Sequence, residues 1–262
     1  MSDNLPSPIQ RAVDAGDNVS EVTPARLFIG RSGTAYRTST QLQLRADHAF
    51  AKDALEASLS LAEPPMKELV ERFGLFEVAT QADSHEEYLA RPDKGRRLAV
   101  GVAETLRANC PSAVEVQFVV GDGLSPLAVR AQVPSLLGPL IDHASARGLS
   151  IGRPFFVRYC RVGVMNDIGE ALDAQNVILL VGERPGLATA ESLSAYMAHR
   201  PRSGDTDAQR NLVSNIHSSG VGTEDAVRRI LGLVDSLQLQ GRSGFTVKES
   251  AQPTALPGAG GR

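Results

Sequence analysis

The chain contains no tryptophan, and aromatic residues make up only 5% of it. Any core must therefore be packed chiefly from aliphatic side chains. Cysteine is almost as scarce. Cys110 and Cys160 are the only two, they form no C-x-x-C pair, and both sit in or beside apolar segments. Two cysteines in a chain this long do not make a disulfide framework, and buried thiols are expected. The five histidines, His48, His85, His143, His199 and His217, include no pair at i, i+4 and no H-E-x-x-H run. Each is expected to be a surface or capping residue, and no metal site is expected. A G-x-S-x-G elbow and a Walker A sequence are also lacking, so nothing supports independent catalysis by this chain.

Long apolar runs are missing too. None approaches the roughly 18 residues of a membrane span, and the first residues lack a charged-then-apolar leader. A net charge of -3 gives no electrostatic reason to expect nucleic acid or an anionic membrane as partner. These absences read as a cytoplasmic chain with neither kind of partner.

What is present is ordinary for a globular protein of 262 residues, with 42% hydrophobic and 22% charged residues. Residues 1–22 are polar with scattered prolines and read as a flexible tail. From about 23 to 110 the pattern is helical: QLQLRADHAFAKDALEASL, PPMKELVERFGL and GRRLAVGVAETLRAN each carry apolar residues at helical spacing. From 111 to 240, strands alternate with helices. VEVQFVV, PFFVRYCRVGV and NVILLVGER read as strands. PLAVRAQVPSLLGPLIDHASARG reads as helical material interrupted by Pro134 and Pro139, and TEDAVRRILGLVDSLQLQ as a closing helix. That alternation predicts an α/β fold, a helical portion followed by a parallel sheet with flanking helices and right-handed crossovers. Residues 241–262 are rich in Gly, Pro and Ala and read as a disordered tail.

Three stretches carry possible chemistry. Gly121-Asp122-Gly123-Leu124-Ser125-Pro126 follows the first strand of the second region. Pro126 stands where a dinucleotide fingerprint needs its third glycine, so a nucleotide-dependent oxidoreductase is disfavoured. The loop either offers backbone N–H groups to an anion or is a tight turn capped by Asp122 or Ser125, and the turn is the better reading. RPDKGRRL, residues 91–98, reads equally as an anion clamp and as a solvated helix start or a set of ion pairs with a partner subunit. In VILLVGERPGL, an apolar strand ends directly at Glu183 and Arg184, and ligands of open α/β sheets bind beyond such carboxyl ends. With Gly121-Asp122, Val162 and the polar cluster Arg210, Asn211, Ser214 and Asn215, Glu183 could form a composite rim around a large ligand.

The stretches RADHAFAKDAL, EEYLARPDKGRRL, VVGDGLS, GRPFFVRYCRV, DIGEALDA, VILLVGERPGL, ESLSAY and QRNLVSNIH, in this order from about residue 26 to 237, resemble the small (light) subunit of ethanolamine ammonia-lyase. The resemblance implies a complex with a large subunit, six of each, that uses adenosylcobalamin to convert ethanolamine into acetaldehyde and ammonia. It implies a helical portion and a Rossmann-like portion, with the latter closing over the cobalamin against the large subunit. Its cofactor contacts map to Val162 in YCRVGV, to Glu183 in VGERPGL and to Leu212 in RNLVSNI, where the family often has Cys. Glu183 is then expected to accept a hydrogen bond from the amides that rim cobalamin, and Arg184 to pair with a neighbouring carboxylate and hold the turn. No D-x-H-x-x-G motif is present to replace the dimethylbenzimidazole on cobalt, and no residue of this chain is expected to touch ethanolamine. The family's N-terminal tail can target the complex to a protein-shelled bacterial microcompartment. A scaffold that only grips a partner is the alternative of another class.

Overall fold

A computed structural model describes residues 29–249. After a two-stranded ribbon, β1 (Arg31–Ser32) and β2 (Ala35–Tyr36), the chain forms α1 (Thr38–Glu56), α2 (Met66–Phe73), β3 (Phe76–Ala79), α3 (His85–Ala90) and α4 (Val102–Asn109). There follow β4 (Val116–Gly121), α5 (Pro126–Ala146), β5 (Phe155–Arg158), α6 (Val164–Leu172), β6 (Asn176–Gly182), β7 (Leu193–His199), β8 (Asn211–Ile216) and α7 (Thr223–Gln240). Residues 1–22, read above as a tail, and the C-terminal residues from 250 lie outside the described residues.

The six-stranded sheet runs β3-β5-β4-β6-β7-β8. β3, β5, β4 and β6 are mutually parallel, whereas β7 and β8 run antiparallel to their neighbours. The α/β class with flanking helices is therefore as the sequence pattern indicates, but the sheet is mostly rather than wholly parallel. The reason lies in the connections. A parallel strand needs a crossover of a dozen or more residues. Between β6 and β7 only residues 183–192 intervene, so the chain can only fold back. β3, inside the stretch that reads as helical, forms the opposite sheet edge, too short for its period to stand out.

β4 and β6 are buried at every position, which accounts for their unbroken apolar runs. One face, with Phe118, Val120, Ile178, Leu180, Ala195, Met197 and Val213, is covered by α5, α7 and α2. The other, with Val119, Phe155, Val157, Leu179 and Val181, is covered by α6 and α4. From β7 that second core takes Ala198, with Tyr196 only partly buried against it, and it takes nothing from β8. The helical layer therefore stops halfway along this face and leaves a shelf.

α5 is one continuous helix with Pro134 and Pro139 inside it, where an interruption was expected. Each internal proline costs about 3 kcal/mol. The helix is held nonetheless because Val129, Val133, Leu136, Leu137 and Leu140 are fully or almost fully buried against the sheet. GRRLAVGVAETLRAN yields a shorter helix than its pattern suggests, since Gly101 takes a left-handed conformation at φ 82 before α4 begins. The first residues of the expected C-terminal tail are packed. Val247 is buried, its carbonyl accepts from the Asn211 side chain at 2.9 Å, and Glu249 meets Arg229 bidentately at 2.9 and 2.7 Å.

Candidate functional site at the uncovered shelf

A concavity of about 310 Å³ occupies the shelf. Val181, Glu183, Ser194, Tyr196, Leu212 and Ser214 form its floor, and Cys160, Arg161 and Val162, from the turn after β5, form its wall. The register explains the floor. Val181 pairs with Ser194, and Tyr196 lies between Leu179 and Leu212, so alternate residues of β6, β7 and β8 point to one face. Strand β8 reads buried-exposed-buried over Asn211, Leu212 and Val213. Its apolar Val213 joins the far core and its Leu212 remains 41% exposed toward the shelf.

Val162, Glu183 and Leu212 are more than twenty residues apart in sequence, and the fold brings all three to this one concavity. The Glu183 carboxylate is held there by three donors. Ser194 Oγ donates to Oε1 at 2.6 Å, the Asn215 backbone N–H donates to Oε1 at 2.9 Å, and Ser192 Oγ donates to Oε2 at 2.8 Å. An ionised carboxylate offers about four acceptor positions, so one remains for a donor entering the concavity. This is a preorganised acceptor beside the aliphatic Val162 and Leu212, an arrangement that suits a large ligand carrying amide N–H groups at an apolar edge. Tyr196 adds a phenol at the floor. Burial, together with the Asp207 and Glu183 carboxylates, raises its pKa, so it stays a neutral hydrogen-bonding group.

Other expectations are resolved differently. Arg184 lines the concavity but has no carboxylate within ion-pair distance among the described residues, so it does not clamp the turn. The turn is held instead by backbone, with Gly186 N donating to Thr189 O at 2.9 Å. Asp122 leaves the rim. It is buried and accepts from the Tyr159 and Cys160 N–H groups, both at 2.8 Å, and from Gly123 N at 2.9 Å. Burial pushes its pKa up to about 6 against the opposing pull of those N–H donors. The GDGLSP loop is thus the tight-turn alternative. Ser125 caps α5 by accepting from Ala128 N at 3.2 Å, and Leu124 N donates to Gly182 O at 3.1 Å, leaving few N–H groups for an anion. The RPDKGRRL basic residues are mostly paired internally: Arg91 with Asp93 at 2.7 Å, Lys94 with Glu87, and Arg97 with Asp167 at 3.0 Å.

In the polar cluster, Asn211 turns inward to the Gly244 and Val247 carbonyls and Arg210 binds Asn166 and Asp207. Ser214 and the Asn215 backbone alone serve the shelf. Ser192, Ser194 and Tyr196 were not singled out in the sequence, although the alternation in ESLSAY carries a period-two strand signal. Both cysteines are free and buried, as expected. No group of three or more potential metal-binding side chains occurs among the described residues, and no described helix is long and apolar enough to cross a membrane.

Comparison with known proteins matches residues 13–248 to the family described as ethanolamine ammonia-lyase light chain (EutC). The chain is 38% identical over 227 residues to the ethanolamine ammonia-lyase small subunit of Clostridium acetobutylicum, covering 87% of this chain and 91% of that protein. It is 41% identical to the small subunit of Clostridium perfringens, covering 86% and 75%. To that of Listeria monocytogenes it is 40% identical, covering 88% and 76%. A family match across nearly all of the described fold, with relatives this similar over most of both chains, leaves one conclusion: the chain belongs to the ethanolamine ammonia-lyase light-chain family.

Proposed function

We propose that this chain is the small subunit of an adenosylcobalamin-dependent ethanolamine ammonia-lyase, a lyase that forms acetaldehyde and ammonia from ethanolamine together with a large subunit. The observation that carries the cofactor assignment is the meeting of Val162, Glu183 and Leu212 on one concavity, with the Glu183 carboxylate fixed by three donors and one acceptor position to spare. Val162 and Leu212 would pack on the apolar body of the corrin, and Glu183 would accept from an amide at its rim. Cobalamin is far larger than this shelf, so most of it must be covered by another chain, which fits a site shared between subunits.

When bound, adenosylcobalamin supplies the radical chemistry that rearranges the substrate. The residues of this chain bind, orient and exclude water. Glu183 accepts a hydrogen bond, Val162 and Leu212 keep the corrin edge dry, and Tyr196 offers a neutral hydroxyl at the floor. None of them reacts with ethanolamine in this reading.

The helical portion, residues 23–110, is assigned to the large-subunit contact and residues 111–240 to the cobalamin contact. In support, α1 buries only Ala54 of its residues, and a helix so poorly packed gains its stability from a partner. Six copies of each subunit, the cytoplasm, and encapsulation in a bacterial microcompartment through the N-terminal tail complete the proposal.

The test is reconstitution. This chain, the large subunit, adenosylcobalamin and ethanolamine are mixed, and acetaldehyde is followed with a coupled reductase. Acetaldehyde formed only when both chains are present is expected. Equal activity without this chain, with unaltered complex formation, would leave a scaffold.

A further inference from the structure

Beside the shelf lies a second groove of about 350 Å³, between α1 and the turns after β5 and β6. Its lining includes His48 and Lys52 of α1, together with Arg161 and Arg184, and among the described residues no carboxylate lines it. Leu124, Arg161 and Arg184 line both concavities, so the two are continuous. Two of its three cations are uncommitted, and the third is only partly satisfied. Neither Lys52 nor Arg184 takes part in an ion pair among the described residues. Arg161 is spread over the Tyr88 ring at 4.3 Å and donates to the Tyr88 carbonyl at 3.3 Å, but its Nε is buried with no hydrogen-bond partner. Three cations around one groove repel one another, and an anion removes both that repulsion and the guanidinium's unmet hydrogen-bonding capacity.

Resting on the cobalamin reading above, we propose that this groove is the subsite for the ligand's phosphodiester, the one anionic group cobalamin carries. That group sits on the nucleotide arm, outside the amide rim that Glu183 faces, so one ligand would span both concavities. Arg161 bridges them as a partly buried donor, while Lys52 and Arg184 supply exposed charge. Placing Lys52 on α1 also couples the helix that otherwise buries one residue to ligand binding.

The experiment measures dissociation constants by equilibrium dialysis, with absorbance detection, on the complex with the large subunit. The two probes are cyanocobalamin and dicyanocobinamide, which has the same corrin without the nucleotide arm and its phosphodiester. The variant is Lys52→Gln, since that side chain lines this groove and not the shelf, and holds no part of the fold together. Expected is a loss of affinity for cyanocobalamin of about tenfold or more, the size of a lost charge-assisted bond, with dicyanocobinamide binding unchanged and a shallower salt dependence for cyanocobalamin. Equal weakening of both probes, or of neither, overturns the subsite. Weakened subunit association with an unchanged ratio of the two affinities overturns it in favour of an acidic segment of the partner chain. A wild-type complex that retains neither corrinoid fails the cobalamin reading itself, and the subsite falls with it.

Discussion

The backbone N–H of Asn215, on β8, donates to the Glu183 carboxylate, at the end of β6, across 2.9 Å. The bond spans β7, which lies between those strands in the sheet, and is possible because Asn215 takes a left-handed conformation at φ 61 beside the irregularity in the β7–β8 pairing. A side chain that reads as the end of one strand is thereby made the hub of three.

Glu183→Gln should separate binding from assembly. A carboxamide is neutral and has one oxygen, so it cannot accept from Ser192, Ser194 and Asn215 together and still serve a ligand amide. Cobalamin affinity of the two-subunit complex is expected to fall about tenfold, as read by dialysis, with subunit association unchanged. An unaltered affinity would remove Glu183 from the ligand contacts.

Leu212→Ala tests the apolar wall. Because the side chain is 41% exposed, thermal stability of the chain should change by less than about 0.5 kcal/mol. Cobalamin affinity should fall several-fold through lost apolar contact, about 25 cal/mol for each Å² that the ligand no longer covers. A stability loss without an affinity loss would contradict the assignment.

Asp122 should be visible in pH-dependent unfolding. Its folded pKa of about 6 lies above the ordinary 3.8, so between those values the folded chain holds the proton more tightly than the unfolded one. The group's contribution to stability is therefore greatest below about pH 4 and declines as pH rises toward 6 and beyond. Chemical denaturation across that range should show this declining leg in the wild type and lose it in Asp122→Asn. The variant should also be about 1–3 kcal/mol less stable at neutral pH, because its amide would oppose a backbone N–H now bound at 2.8 Å.

Gly123→Ala should be among the most damaging small substitutions. The residue has φ 62, and an added methyl would collide with the Gly182 carbonyl oxygen and the Val181 side chain. Strain in the left-handed region costs about 1–3 kcal/mol by itself, so a urea midpoint shift corresponding to at least about 2 kcal/mol is expected.

The two thiols should be silent in the native chain. Burial pushes the Cys110 pKa up to about 11 and raises that of Cys160, next to Asp122, well above the usual value. A disulfide reagent at pH 8 should find almost no reactive thiol until denaturant is added, and then both.

Much of this molecule follows from local sequence alone. The apolar runs of β4 and β6 specify strands buried on both faces because no other element absorbs so continuous a stripe. The periodicity of α1, α2 and α7 specifies helices, and Pro126 in place of a third glycine disfavours a dinucleotide loop. The resemblance, carried by motifs such as GERPGL and RNLVSNI, singles out Val162, Glu183 and Leu212. What the sequence could not decide were relations between strands. The short β6–β7 connection turns the sheet antiparallel, and the helical layer on one face ends before β7 and β8. Only then do Ser192, Ser194 and Asn215 N converge on Glu183, and only then does Asp122 leave the rim to bind the backbone after β5. Register and layer coverage depend on contacts between residues far apart in the chain, and such contacts are set when the whole core packs, not by any local pattern.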